Sequence, residues 1–461
     1  MDSQQKRNIV IIGGGIIGCT TAYFLTRHPK YNPALHRITL LEATAVAAGA
    51  SGKAGGLLAL WAYPAELVPL SYRLHRELAA EHGGAERWGY RRVGCGSIEA
   101  VVREADIQRA RAAQQKHKSN GNDTSLTSSS SAGGGEGGAA AMTKEENGKA
   151  WEKLPKQDAA AASLLSGSKL PADLDWIDPS LVASYEQMGQ RAGATETAQV
   201  HPFHFTTAMA ELARDKGVDI RLRARVTKIN QTRAGGVESV EYEDRDAAGK
   251  GGEDSIKKIA DVTDVVVAAG PWTGKLLPKT SVSGLRAHSV VYEADVTPYA
   301  VFTDIELPGD FVPEHRAKMG QQRKHKGNVD PEIYARPFGE VYACGEPDKT
   351  IPLPDTADLV QCDEAQCDDL VAYIATISPA LAAAPVKAKQ ACYLPQHKRF
   401  GAEAGPLVGR AQTPGLWVAS GHTCWGIQNG PATGCLMAEM LLDGAAKSAD
   451  VDRLDPRKFK V

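Results

Sequence analysis

Apolar runs and stretches with helical spacing alternate along the chain and predict alternating strands and helices. Residues 9–12 are consecutive isoleucine and valine residues, which are typical of a buried strand, and residues 13–27 predict a glycine-rich turn that leads into a helix. A second apolar run, residues 37–41, ends at Glu42. A strand, a helix and a strand in this order predict a βαβ unit with parallel strands.

Two later apolar runs also end in glycine. Residues 264–269 stop at Gly270, and residues 416–420 lead into a glycine-rich loop. Because proline is favoured in the first turn of a helix, we expect Pro431 to stand at the start of a helix that runs to about Leu442. Residues 284–345 are rich in strand patterns, and residues 176–188 predict a short helix.

The composition allows a large core and excludes several function classes. The chain has 461 residues, 43% of them hydrophobic, which suits two or three domains of roughly 150 residues each. Its net charge of −2 provides no positive field for nucleic acid, so we expect no nucleic-acid partner. No run reaches the roughly 18 apolar residues of a membrane span. Eight scattered cysteines lack the spacing of a metal site and fit a reducing compartment, so we expect a cytoplasmic protein without metal; association with endosomes stays open.

Residues 119–141 differ from the rest of the chain. Serine, glycine, asparagine and alanine dominate this segment, which has almost no large apolar side chains. Such a segment can bury too little apolar surface to offset the conformational entropy lost on ordering, so it predicts a disordered surface insertion. A regulatory phosphorylation tract is the alternative interpretation.

The first glycine-rich turn carries the strongest chemical signal. Gly13, Gly15 and Gly18 form a G-x-G-x-x-G pattern between the first strand and helix, and Glu42 ends the second strand. In this context Gly13 permits a tight turn, Gly15 lets the backbone approach a pyrophosphate, and Gly18 lets the helix pack on the strand. Glu42 can accept hydrogen bonds from a ribose. The pattern predicts a dinucleotide site; a glycine-rich turn without a ligand is the alternative.

Five segments together resemble the FAD-dependent oxidoreductases of the D-amino-acid oxidase type, the group that includes glycine oxidase and sarcosine oxidase. The chain is most similar to fungal oxidoreductases of this group whose substrate is not firmly assigned. The segments are residues 13–42, 50–56, 199–202, 267–272 and 420–430. A nicotinamide-linked dehydrogenase is disfavoured, because only the first segment would suit NAD.

The resemblance implies an α/β fold: a discontinuous Rossmann-type FAD-binding domain and an α+β substrate domain on an antiparallel sheet. We expect residues 1–100, 190–285 and 400–461 in the first, and 101–189 and 286–399 in the second. The residues that the resemblance assigns to FAD are Gly13, Gly15, Ile16, Ile17, Gly18, Glu42, Ala43, Ala50, Ser51, Lys53, Ala54, Gly55, Gly56, Leu57, Val226, Ala269, Gly270, Trp272, Cys392, Gly421, Gly426, Ile427 and Gln428.

The implied activity is oxidation of a C–N bond in an amine or amino-acid-like substrate, by hydride transfer to the flavin N5. O2 is one candidate electron acceptor, and the sequence does not predict an oligomeric state. The alternative is a flavin-bound protein of low turnover that acts as a trafficking, assembly or redox-sensing partner. The candidate catalytic residues are Lys53, Tyr334, Arg336, Trp425 and Gln428.

The chain departs from the family pattern at two positions. Relatives often carry an arginine that pairs with the substrate carboxylate, but Leu394 stands there, and Arg336 is one candidate replacement. Sarcosine-oxidase-like members use a lysine for oxygen activation, and Ala343 stands at that position, with Lys53 as an alternative charge. Cys392 matches a position where some relatives tether FAD covalently; a buried free thiol, with non-covalent FAD, is the favoured interpretation.

Overall fold

The computed structural model of the protein describes residues 5–109, 169–191, 194–248, 255–324 and 326–461. Two large sheets and three small ones are formed within these ranges. The strands, in chain order, are β1 (Arg7–Ile12), β2 (His36–Leu41), β3 (Leu57–Ala59), β4 (Arg91–Arg92), β5 (Gly94–Val101), β6 (Val182–Gln187), β7 (Gln190–Arg191), β8 (Ala194–Thr195), β9 (Thr197–Gln199), β10 (Asp219–Arg221), β11 (Ala224–Gln231), β12 (Val237–Asp244), β13 (Ile256–Ile259), β14 (Asp264–Val267), β15 (Val282–Glu293), β16 (Tyr299–Glu306), β17 (Glu332–Arg336), β18 (Glu340–Asp348), β19 (Val386–Arg399), β20 (Ala402–Glu403), β21 (Leu407–Arg410) and β22 (Leu416–Ser420).

The α-helices that lie wholly within the described ranges are α1 (Ile16–Arg27), α2 (Ala50–Lys53), α3 (Val68–His82), α4 (Gly84–Trp88), α5 (Pro202–Arg214), α6 (Arg245–Ala248), α7 (Thr273–Leu276), α8 (Glu314–Lys318), α9 (Glu364–Ala375), α10 (Pro379–Ala383) and α11 (Gly426–Leu442). Within the described ranges, none of the helices has the length and apolar character needed to cross a membrane.

The first sheet has six strands in the order β10-β2-β1-β14-β22-β21. All neighbours in it are parallel except the pair of β21 and β22. The strand at its centre, β1, is buried from residue 9 to residue 12, because both faces of the sheet are covered. Helices α1, α3, α5 and α11 pack on the face of Ile9 and Ile11, and side chains of β11, β12 and β13 pack on the face of Val10 and Ile12. This arrangement confirms the predicted Rossmann-type sheet.

The second sheet has eight strands in the order β20-β19-β15-β18-β17-β16-β5-β6. Its neighbours are antiparallel except β5 and β16, which run parallel. The predicted antiparallel sheet of the substrate part is therefore present. The boundaries of the two domains stay a prediction, although β5, which falls almost entirely in the range 1–100, pairs with β16 of this second sheet.

The expected start of the last helix was wrong. The helix begins at Gly426, so Pro431 lies inside it and cannot donate a hydrogen bond to the carbonyl of Ile427. The Nε2 atom of the buried His75 lies 3.0 Å from that carbonyl oxygen and 3.2 Å from the next one. His75 therefore satisfies the backbone group that the proline leaves without a partner, which is why the helix continues through residue 431.

Two further expectations concern other segments. The predicted helix over 176–188 was wrong, since Pro179–Leu181 form one 3-10 turn and the chain then continues as β6. Pairing with β5 at the edge of the eight-stranded sheet overrides the local pattern. The predicted insertion at 119–141 lies outside the described residues.

Candidate functional site

A cavity of about 700 Å³ lies where the carboxyl ends of β1, β14 and β22 meet one face of the eight-stranded sheet. Ligands of open α/β sheets bind at such carboxyl ends. The site residues predicted from the sequence that line this cavity are Gly13, Gly15, Ile16, Ile17, Glu42, Ala43, Ala50, Ser51, Lys53, Ala54, Gly55, Gly56, Leu57, Val226, Ala269, Gly270, Trp272, Tyr334, Cys392, Gly421, Trp425, Gly426 and Ile427.

The turn between β1 and α1 is held by close backbone contacts. Gly13 has φ +112°, and a Cβ atom built on it would lie 2.4 Å from the carbonyl oxygen of Ala268. A Cβ atom on Gly18 would lie 2.0 Å from the carbonyl oxygen of Gly13, so Gly18 supports the turn from behind and is not part of the cavity wall. Gly15, in contrast, faces the cavity and leaves the first turn of α1 accessible from it.

The carboxylate of Glu42 joins two loops at this end of the cavity. One of its oxygens accepts a hydrogen bond of 2.7 Å from the backbone N–H of Gly14. The other accepts from the backbone N–H and the hydroxyl of Thr44, at 2.8 and 2.9 Å. Glu42 thus fixes the glycine-rich turn, and it also lines the cavity.

The segment that contains α2 connects the turn to the eight-stranded sheet. The Ser51 hydroxyl accepts a 3.0 Å hydrogen bond from the backbone N–H of Ile16, and the Lys53 Nζ donates a 2.9 Å hydrogen bond to the carbonyl of Ala391 in β19. A Cβ atom on Gly55 would lie 2.0 Å from the ring of Tyr334. This segment therefore runs directly against the aromatic side of the cavity.

Aromatic side chains form that side. The rings of Tyr334 and Tyr342 are stacked with centroids 6.0 Å apart, and Phe302 meets Tyr334 edge-on at 5.9 Å. Trp425 follows β22 and meets Trp61 edge-on at 5.6 Å. Burial raises the pKa values of the Tyr334 and Tyr342 hydroxyls far above their usual range, so both are neutral hydrogen-bonding groups.

Two other titratable residues of the wall are held neutral by burial. Burial raises the pKa of the Cys392 thiol to about 11, an effect that the charge of Lys53 partly offsets. Burial lowers the pKa of His422 to about 3, and its Nε2 atom lies 2.9 Å from the Thr433 hydroxyl. His422 therefore supports the loop before α11 as a neutral ring.

Two predicted catalytic residues do not line the cavity. Arg336 forms an ion pair with Glu340 and donates a 3.1 Å hydrogen bond to the carbonyl of Ala54. Burial opposes ionisation of Glu340, but the hydrogen bond from His201 and the charge of Arg336 together lower its pKa. Gln428 is buried, and its Oε1 atom accepts a 2.8 Å hydrogen bond from the backbone N–H of Ala59. In the structure these hydrogen bonds connect Arg336 to the segment of Ala54 and Gln428 to β3. Their catalytic roles stay predictions.

Sequence reasoning missed several wall residues, of which Glu332 is the most informative. It stands two residues before Tyr334 in β17, so strand alternation places both side chains on the same face. That spacing is a signal the sequence contained. The cavity-lining Phe302 and Cys344 are its cross-strand neighbours, and their position depends on a register that only the sheet defines.

The wall fits an FAD molecule in residue type and in electrostatics. The first turns of α1 and α11 both border the cavity, and Trp425, the N-cap of α11, gives that helix no side-chain cap. Helix N-termini of this kind favour negative groups such as a diphosphate. The charged residues of the described chain that line the cavity are Glu42, Lys53, Arg225, Lys275, Glu332 and Asp355.

The chain matches the family described as DAO, FAD dependent oxidoreductase, over residues 8–440. It belongs to this family of flavoenzymes. "Putative oxidoreductase TDA3" of Saccharomyces cerevisiae is 36% identical over 99% of this chain and 96% of its own length. "Putative oxidoreductase C1F5.03c" of Schizosaccharomyces pombe is 31% identical over 98% of both chains.

Solved structures share the fold at low identity. Glycine oxidase from Bacillus cereus ATCC 14579 superposes with a TM-score of 0.57 at 20% identity, covering 96% of this chain and 99% of its own. Iminodiacetate oxidase from Chelativorans sp. BNC1 gives a TM-score of 0.60 at 17% identity, with 97% and 98% covered. The family membership makes this chain an FAD-dependent oxidoreductase, as the sequence predicted.

Proposed function

We propose that the protein oxidises a C–N bond of a small amine or amino-acid-like molecule in the cavity between its two large sheets. One observation carries the proposal: a single cavity is lined both by the nucleotide-type turn after β1 and by the aromatic face of the eight-stranded sheet. When bound, FAD supplies a two-electron acceptor for such a bond. The protein residues then have to bind both molecules, orient them and exclude water.

The cofactor side of the cavity would hold FAD along its length. The backbone around Gly15 and the N-terminus of α1 would bind the diphosphate, Glu42 the ribose, and the backbone near Val226 the adenine. The N-terminus of α11, with Gly426 and Ile427, would favour negative charge on the bound ring system. Lys53 adds a positive charge on the side of β19.

We expect FAD to be held without a covalent bond. A thioether would need the Cys392 thiolate, and burial keeps this thiol protonated at neutral pH by raising its pKa to about 11. The aromatic wall of Tyr334 and Trp425 would orient the substrate and keep water away from it.

The test is anaerobic addition of amines and amino acids to the purified, FAD-loaded protein. Loss of the flavin absorbance near its visible maximum with one compound, and release of the corresponding carbonyl product, would support the proposal. A protein that binds FAD but is not reduced by any member of a broad amine panel would contradict the oxidation of C–N bonds. That second result would favour the low-turnover flavoprotein. Re-oxidation in air, followed by peroxide measurement, tests O2 as the electron acceptor.

A further inference from the structure

Glu332 is a carboxylate at the cavity wall that has no cationic partner in the described part of the chain. Its neighbours across β17 are Phe302 in β16 and Cys344 in β18. The Tyr334 hydroxyl donates a hydrogen bond to Oε2, and the Cys344 Sγ lies 3.9 Å from the same oxygen. Among the described residues, no lysine, arginine or histidine forms an ion pair with Glu332. Burial raises the pKa of this carboxyl, as expected for a negative charge that lacks compensation.

Aromatic rings surround the same place. Phe302, Tyr334, Tyr342 and Trp425 all line the cavity, and Trp61 links Phe302 to Trp425 with edge-on contacts of 5.9 and 5.6 Å. Faces of aromatic rings attract cations, and several rings around one carboxylate form a site for an alkylated ammonium group. A neutral or anionic ligand would leave the carboxylate without compensation.

The cations of the wall are elsewhere or already paired. Lys53 donates its hydrogen bond to the carbonyl of Ala391 in β19. Three strand spacings separate β19 from β17, the strand of Glu332, which is about 14 Å at the usual 4.7–4.9 Å per spacing. Arg225 and Lys275 lie 3.5 and 2.9 Å from the carboxylate of Asp355. Leu394, which pairs with Leu285 across the sheet, makes this part of the wall apolar. Nothing in this part of the described wall offers a partner for a substrate carboxylate.

From this arrangement we infer that the substrate is an amine without an α-carboxylate that binds as an alkylammonium ion, with its nitrogen held by Glu332 and the surrounding rings. Before oxidation the ammonium proton would pass to the Glu332 carboxylate, which leaves the neutral amine as the hydride donor. This inference rests on the proposed function and names its substrate class. The site is adjacent to the cofactor side, because the ring of Tyr334 fills the space where a Cβ atom of Gly55 would lie. The nitrogen would bind next to the segment 50–56 that is proposed to wrap FAD.

The experiment measures binding under anaerobic conditions by calorimetry on the FAD-loaded protein, so that no turnover is needed. Two probes share one shape and differ only in the charge of the head group: 2-hydroxyethyl-trimethylammonium and neutral 3,3-dimethylbutan-1-ol. A third, 3,3-dimethylbutanoate, keeps the neutral head and carries a negative charge at the other end. We expect the cation to bind at least about 10-fold more tightly than the alcohol, and the anion most weakly. Equal affinities for the cation and the alcohol would overturn the inference.

Variants assign the effect to Glu332. Glu332→Gln keeps the shape of the side chain and should raise the Kd of the cation about 10-fold or more, while the Kd of the alcohol stays within about 3-fold. Phe302→Leu should raise the Kd of the cation about 3-fold or more, and it serves as a second variant if the first does not fold. Glu306→Gln removes an exposed carboxylate from the same sheet and should change neither value. Unchanged cation binding in both Glu332→Gln and Phe302→Leu would refute the inference.

The inference and the proposed function fail in different ways. Rapid flavin bleaching by α-amino acids, without a preference for cationic probes, would refute the inference and leave C–N oxidation intact. A strong, Glu332-dependent preference for the cation would support the binding site even if bleaching with amines were absent, and that absence would count against the proposed oxidation alone.

Discussion

Replacement of Gly18 by alanine tests whether the turn after β1 holds the diphosphate. The new Cβ atom would lie 2.0 Å from the carbonyl oxygen of Gly13, about 1.4 Å closer than the 3.4 Å of ordinary contact. The contacted atom is a backbone oxygen, so the turn itself must move, because no side-chain rotation can relieve the overlap. The side chain would not enter the cavity, so any loss of FAD would come from displacement of the turn.

The expected magnitudes separate folding from binding. Overpacking lowers the free energy of unfolding by about 1–3 kcal/mol, and the higher helix propensity of alanine raises it by about 1 kcal/mol. The FAD-free protein should therefore lose about 2 kcal/mol of stability at most. Displacement of two hydrogen bonds to a charged diphosphate, at about 1.5 kcal/mol each, should raise the Kd of FAD about 100-fold.

Flavin-fluorescence titration of the FAD-free protein measures the Kd, and urea unfolding measures the stability. Gly309→Ala is the matched control, because a Cβ atom there meets no heavy atom within 4 Å. A Kd for Gly18→Ala within about 3-fold of the unaltered protein would show that the diphosphate does not depend on this turn.

Three further predictions concern residues around the site. Burial lowers the pKa of His75 to about 4, below the 6.5 of the unfolded chain, so the protein loses stability as the pH falls from 7.5 to 5 and the unfolded state is protonated. In urea unfolding this loss should be about 2 kcal/mol smaller for His75→Gln than for the unaltered protein. An equal loss in both proteins would refute this account. Arg336→Leu should destabilise the protein by about 3 kcal/mol in thermal unfolding yet leave the FAD-loaded form reducible by substrate, whereas loss of reduction at full stability would point to a catalytic arginine. Acid precipitation should release the flavin and leave a colourless pellet; a yellow pellet that Cys392→Ser abolishes would demonstrate a covalent bond.

The cofactor part of the site could be predicted because its signals are local in sequence. Gly13 and Gly18 serve a turn whose strand and helix lie within 20 residues of them, and the apolar run of β1 reflects burial on both faces of a parallel sheet. The resemblance extended this prediction to distant segments, and the cavity contains nearly all the residues it named.

The predictions failed where long-range contacts decide the outcome. Pro431 predicts a helix start, but His75, more than 350 residues away in sequence, accommodates it inside the helix. The role of Arg336 stays a prediction, but long-range contacts bear on it as well, because its guanidinium pairs with Glu340 and donates to the carbonyl of Ala54.

The sequence by itself determined the nucleotide-type turn, the class of cofactor and the two kinds of sheet, because each depends on short-range spacing, apolar periodicity or family motifs. Only the tertiary structure decided which polar side chains face the cavity. Strand register places Glu332 beside Phe302 and Cys344, and strand order places β19, whose Ala391 accepts the hydrogen bond of Lys53, three strands from β17. Register and order arise from packing of the whole chain, so a carboxylate that looks ordinary in the sequence becomes an uncompensated charge among aromatic rings.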